Sequence, residues 1–232
     1  MREKAVVGNF YHVLNRGVDK RNIFLNQGDY LRFVHDLFEF NDHTSPSNNN
    51  YDFRKTIKYQ RNFIEQDQDT RKLLVNISSF CLMPNHYHLL LQPLVEDGLF
   101  QFIKKLNMGY ANYFNKKYQR SGALFQGRYK SVRINDEAHF IHMPYYIHFN
   151  PLDLFMPSWR DREINGVTQA MNFLKTYRWS SFLDYIGMPN FPSVTQRDVL
   201  TEFLGKPKEH EQKMVDWLKD FDLKNIKELL LE

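Results

Sequence analysis

The sequence predicts an α+β protein: an antiparallel sheet with helices packed on it, followed by a helical C-terminal tail. Three observations carry this. Two strand-like runs, VNISSFCLM (75–83) and HYHLLLQPL (86–94), flank Pro84-Asn85 and describe a hairpin. Helical periodicity lies on either side of it, in 29–41 and from Asp97 to about Tyr118. The order strand, helix, hairpin, helix, strand, helix then suits a sheet with antiparallel pairing.

FYHVLNR (10–16) reads as the first strand, with Tyr11, Val13 and Asn15 on one face and His12, Leu14 and Arg16 on the other; Gly17 ends it. DYLRFVHDLFEFN (29–41) places Leu31, Val34, Leu37 and Phe38 at helical spacing behind Asp29 as N-cap. HTSPSNNN is a polar loop and the charged stretch after it has weak periodicity, so residues 43–70 form an inserted or elaborated segment. After the hairpin, Asp97 caps a long helix with Leu99, Phe102, Ile103, Leu106, Tyr110, Tyr113 and Phe114 in one stripe, and Ser121-Gly122 stops it. LFQGRYKSVRIN (124–135) is extended, and a helix from Asp136 or Glu137 leads to Tyr146 and Asn150 before Pro151. Pro144 should break or kink that helix, with a new short one starting near Met143, because proline lacks the N–H and clashes one turn back. Residues 1–190 make one domain, with Trp179 anchoring a core edge or else contacting DNA and Cys81 buried in a strand, and 191–232 a helical extension whose Phe203, Leu204, Met214, Trp217 and Leu218 pack on the sheet or on a partner.

At 232 residues with 42% apolar side chains the chain can bury a core without staples. A single cysteine excludes an internal disulfide framework, and no apolar run is long enough to span a membrane, which together predict a cytoplasmic protein. Net charge is only +4, but it is unevenly placed: Lys104, Lys105, Lys116, Lys117, Arg120, Arg128, Lys130 and Arg133 fall between Gly98 and Asn135 with no acid among them. Such a stretch implies a phosphate-rich partner. Phe102, Tyr110, Tyr113, Phe114, Tyr118, Phe125 and Tyr129 are interleaved with it; rings beside cations suit single-stranded nucleic acid, though burial accounts for most of these. Arg16 is a further contact for a phosphate or a base edge, or else a structural ion pair.

His86 and His88 flank Tyr87 and point from one face of the second hairpin strand. Two imidazoles so placed either share a metal or are ordinary strand histidines. A metal needs further ligands, and YYIHFNP (145–151) offers them, since Tyr146 and Asn150 lie four apart on one helix face. Tyr145 and His148 fall on other faces and serve packing or capping; His139 and His142, three apart, lack a partner set.

MPNHYHLLL, YYIHFNP, GALFQGRYKS, YHVLNRG and YRWSSFLDY, spread over roughly residues 8–188, resemble the HUH-type single-tyrosine transposases, in particular the REP-associated tyrosine transposases among the IS200-like transposases. The resemblance implies a ferredoxin-like, RRM-like fold, a divalent metal (Mg²⁺ or Mn²⁺) on His86, His88 and Asn150, and Tyr146 as nucleophile. It also implies single-stranded or hairpin DNA as partner, with a REP-like palindrome as target, and a monomer or homodimer. Tyr87 departs from the usual apolar middle residue; its ring should pack behind the sheet with the hydroxyl outward.

The expected activity is a metal-dependent nicking and joining of single-stranded DNA through a 5′-phosphotyrosine. Two alternatives stand beside it: a hairpin-binding regulator that has lost catalysis at Pro144, and a metal-dependent nuclease in which water replaces the tyrosine.

Overall fold

The structure, a computed structural model, describes residues 4–43, 71–161, 163–164, 166–220, 227 and 230–231. The predicted insertion therefore lies, but for its first residue, outside the described part. Four strands form one sheet, β1 (Phe10–Arg16), β2 (Val75–Met83), β3 (His86–Pro93) and β4 (Lys130–Ile134), in the order β2-β3-β1-β4. Every neighbouring pair is antiparallel. With α1 (Gln27–Glu39) between β1 and β2 and α2 (Gly98–Lys117) between β3 and β4, this is the split βαβ arrangement of ferredoxin-like folds.

The alternation along the strands sorts the molecule into two cores. Tyr11, Val13, Tyr87, Leu89 and Leu91 face α1 and α2, where Phe33, Phe102 and Tyr110 are fully buried. The opposite face, with Phe10, Cys81, Met83, Leu90 and Ile134, packs against α3 (Glu137–Phe149) and the segments that follow. Those are two 3₁₀ turns (Asn150–Leu154 and Pro157–Asp161), α4 (Val167–Thr176), the short α5 (Phe182–Tyr185), α6 (Asp198–Leu204) and α7 (Pro207–Asp220). Leu204, Met214, Trp217 and Leu218 from the tail thus bury against α3. No described helix is long and apolar enough to cross a membrane.

Several local expectations are corrected. Helix α1 starts two residues earlier than Asp29, which acts one turn in: its Oδ2 accepts from the N–H groups of Leu25 and Asn26 at 2.8 and 3.2 Å. Asp97 precedes α2 in a left-handed conformation (φ 56°) with no side-chain cap. Only Lys130–Ile134 of the 124–135 run is strand; before it, Phe125 makes a lone bridge to Gly17. Helix α3 continues through Pro144. Its Phe140, Met143, Tyr145, Tyr146, Ile147, His148 and Phe149 are all buried, and that much tertiary contact outweighs the roughly 3 kcal/mol an internal proline costs. The Tyr87 hydroxyl does not reach solvent; it donates to Asn107 Oδ1 on α2 at 2.8 Å.

The tail is joined to α3 through titratable groups. His210 on α7 is fully buried, stacked on Tyr145 (ring centroids 5.5 Å) and edge-on to His148 (6.2 Å). Burial, helped by Lys213, lowers its pKa from 6.5 to about 4. Below pH 6.5 the unfolded chain therefore takes up a proton that the folded one refuses, so stability is full above that pH and falls toward pH 4. The fall attributable to His210 is about 3 kcal/mol. Urea midpoints measured from pH 7 to 4.5 should drop steadily in the native protein and less steeply in His210→Phe; parallel curves would refute the assignment.

Candidate active site

The site is built where β3 leaves its turn. Pro84-Asn85 reverse the chain, and His86 and His88 then face the α3 side while Tyr87 faces α2. Both histidines are buried, with ring centroids 4.9 Å apart. His86 Nδ1 sits 2.6 Å from Asn85 Oδ1. An amide oxygen only accepts, so the proton is on Nδ1 and the lone pair on Nε2.

β1 adds a residue that strand reading alone did not single out. His12 Nε2 lies 2.9 Å from His88 Nδ1, and the two rings stack at 5.2 Å. One proton lies between them. When it sits on His88 and is donated to His12, His88 presents a lone pair on Nε2, as histidine ligands do when their far nitrogen is bonded to a second residue. The signal was available: His12 shares its face with Arg16, and strand pairing sets Leu14 opposite His88 and Arg16 opposite His86.

Helix α3 brings Tyr146 against these rings, edge-on to His88 at 5.8 Å and to His12 at 5.9 Å. Tyr146 is fully buried. Asn150, one turn on, is buried too, and its Nδ2 donates to the Tyr146 carbonyl at 2.8 Å. Its Oδ1 accepts from Arg160 Nη2 at 3.0 Å. Arg160 in turn is held by Asp153, which accepts at both oxygens, at 2.8 Å (Nε to Oδ1) and 2.7 Å (Nη2 to Oδ2). Nothing in the sequence marked Asp153 or Arg160, because they meet only once the chain curls through the two 3₁₀ turns.

Two imidazole nitrogens and an amide oxygen with a second lone pair suit a borderline divalent cation. Among the described residues no group of three or more His, Cys, Asp or Glu is spaced to hold a metal, so a set here depends on Asn150. His142 is engaged by the tail: Trp217 Nε1 donates to its Nδ1 at 3.1 Å. Burial lowers the His142 pKa, and His139 lowers it further.

The basic residues divide by position. Arg16 stands on the histidine face opposite His86, half-buried, with Nε buried and making no hydrogen bond among the described residues. Lys130 is on that face too, opposite Leu14, and its ammonium donates to the Leu231 carbonyl at 2.8 Å. On α2, Lys105 donates to the Asp42 carbonyl at 2.6 Å and Lys117 to Asp29 Oδ1 at 2.6 Å. Arg120 bonds Asn115 Oδ1 at 3.0 Å. Lys104, Lys116, Arg128 and Arg133 are exposed, and Lys104 and Arg128 rim a cleft of about 580 Å³ between α2 and β4.

Residues 46–150 match the family model described as IS200-like transposase. Among solved structures, a REP-associated tyrosine transposase bound to a REP hairpin is similar at 14% identity with a TM-score of 0.44, over 86% of this chain and 92% of that one. The tRNA(His) guanylyltransferase of Saccharomyces cerevisiae is similar at 10% identity with a TM-score of 0.34, over 97% and 83%. No curated protein matches the chain.

Proposed function

We infer that this chain, whose residues 46–150 match the family model described as IS200-like transposase, is a transesterase that nicks and rejoins single-stranded DNA beside a hairpin. Tyr146 is the nucleophile. The observation that carries this reading is its placement: the phenol packs on the His88 ring at 5.8 Å, and Arg160 Nη1 lies 3.5 Å from its oxygen.

A phenol is a weak nucleophile at neutral pH, so the site must favour negative charge on its oxygen and draw electrons from phosphorus. His86, His88 and Asn150 would hold a divalent cation, Mg²⁺ or Mn²⁺, which supplies Lewis acidity at a phosphate oxygen. His12 and Asn85 hydrogen-bond the Nδ1 atoms of His88 and His86 and so orient the two imidazoles with Nε2 turned away. Arg16, beside His86, is placed for a neighbouring backbone phosphate. The exposed cations of α2 and the β4 edge (Lys104, Lys116, Arg128 and Arg133), with Lys105, Lys117, Arg120 and Lys130 contributing charge, track the rest of the strand.

In the reaction a bond forms from Tyr146 Oη to phosphorus while the bond from phosphorus to O3′ breaks. The phenolic proton leaves to solvent and the 3′ oxygen takes one up. The 5′-phosphotyrosine keeps the energy of a phosphodiester, so a 3′-hydroxyl reverses the step without a nucleotide cofactor. Tyr146 is fully buried, so a side chain that covers it must move for DNA to reach it.

The test uses hairpin DNA with flanking single strands, labelled on either side in turn, in Mn²⁺ or EDTA. A denaturation-resistant protein–DNA band should form only with metal and vanish in Tyr146→Phe. Cleavage that survives Tyr146→Phe would favour water as nucleophile; intact hairpin binding without adduct or nick would favour a DNA-binding regulator.

A further inference from the structure

Arg160 touches three parts of the site at once. Its Nε and Nη2 grip Asp153, and Nη2 also donates to Asn150 Oδ1. Trp159 Nε1 donates to the same Asp153 oxygen at 2.7 Å, so the carboxylate is itself fixed. The guanidinium carbon lies 4.9 Å from the centre of the Trp159 ring and 5.6 Å from that of Tyr146. Its Nη1 lies 3.5 Å from Tyr146 Oη. A cation clamped on one edge and aimed with the other at a phenol is more than an ion pair needs. An Asp153–Arg160 pair formed for stability alone would gain little, since the arginine side chain is 25% exposed.

We propose that Arg160 is a catalytic residue, donating from Nη1 to Tyr146 Oη and, once phosphorus is attached there, to a non-bridging oxygen of the phosphotyrosine. Planar donors with fixed spacing match a phosphate in a way that a lysine ammonium does not. Asp153 sets the plane and Asn150 receives the remaining hydrogen, so the fork is oriented before DNA arrives. The step balances as written above: Oη–P forms, P–O3′ breaks, the departing oxygen is protonated, and Arg160 keeps all its hydrogens throughout. This rests on the reading of Tyr146 as the nucleophile.

The experiment compares native protein, Arg160→Met and Arg160→Lys. It measures hairpin affinity in EDTA, thermal midpoint, and the single-turnover rate of adduct formation at saturating DNA and Mn²⁺. Arg160→Met should slow the adduct by about 10²–10³-fold, the usual effect of deleting one donor to a developing charge, with hairpin affinity unchanged. Guanidinium ion added at millimolar concentration should recover part of the rate in Arg160→Met and none in Tyr146→Phe. Arg160→Lys, which keeps the charge and most of the fold, should remain at least about tenfold slow. Should Arg160→Met fold poorly, the lysine variant decides. Rates within threefold of native in either folded variant, or a loss that follows the thermal midpoint and ignores guanidinium, would overturn the assignment. In that outcome native protein still forms adduct and Tyr146 stands; absence of adduct in native protein under every metal tried would bring down both readings.

Discussion

Alanine at His88 should slow metal-dependent adduct formation by about 10²–10³-fold, the several kcal/mol that a Lewis acid contributes to charge stabilisation at phosphorus. His86→Ala should do the same. Neither histidine lies on the α2 side where most of the exposed cations stand, so hairpin affinity in EDTA should stay within about threefold of native. Calorimetric titration with Mn²⁺ should show binding to native protein and little to either variant. Because His88 is fully buried and bonded to His12, its variant should also lose roughly 1–3 kcal/mol of stability through the unmet nitrogen left on His12. His12→Phe should share the stability cost, since it strands His88 Nδ1 in the same way. Native-like rates in His86→Ala and His88→Ala would remove the metal from this mechanism.

The largest effect on folding should come from Asp29→Ala, about 3–5 kcal/mol. The carboxylate has no exposure at all. Its Oδ1 accepts from Lys117 at 2.6 Å and from the Tyr113 hydroxyl at 2.9 Å, and its Oδ2 from the Tyr118 hydroxyl at 2.7 Å, besides the two backbone N–H groups at the head of α1. Burial by itself would raise its pKa, but Lys117, Tyr118, Leu25 and Tyr113 together pull it below the ordinary carboxylate value. Removing the acid strands all these donors at the junction of α1 with α2. Lys117→Met should cost less, because Asp29 keeps its hydrogen bonds from Tyr113, Tyr118 and the N–H groups of Leu25 and Asn26. Urea unfolding of the two variants decides; a loss under 1 kcal/mol for Asp29→Ala would show that the donors find other acceptors.

The sequence exposed the sheet and its helices well because their periodicities are long and regular, as in 86–94 and in α2. The histidine pair and the Tyr146–Asn150 spacing were legible for the same reason: each is a local pattern on one element. Pro144 misled because the penalty it carries is local, while the burial that overrides it comes from residues as distant as Trp217. His12 sat in view on the correct strand face, yet its bond to His88 exists only through a register that no single strand discloses. Arg160 was out of reach altogether, since its meaning lies in three contacts across a curled segment without periodicity. Lys117 shows the converse: a run of cations predicts a surface charge, but one of its members has an acid partner 88 residues away.

The order of strands in the sheet also has a consequence for how the chain is made. β1 is synthesised first, yet it lies between β3 and β4, and β4 begins at Lys130. At ordinary elongation rates, on the order of ten seconds pass between the emergence of β1 and that of its last neighbour. During that interval the β2–β3 hairpin can close on itself while β1 still shows at least one unpaired edge to the crowded interior of the cell. Pairings this distant along the chain are slow to form even in isolation. That edge is covered only when β4 docks.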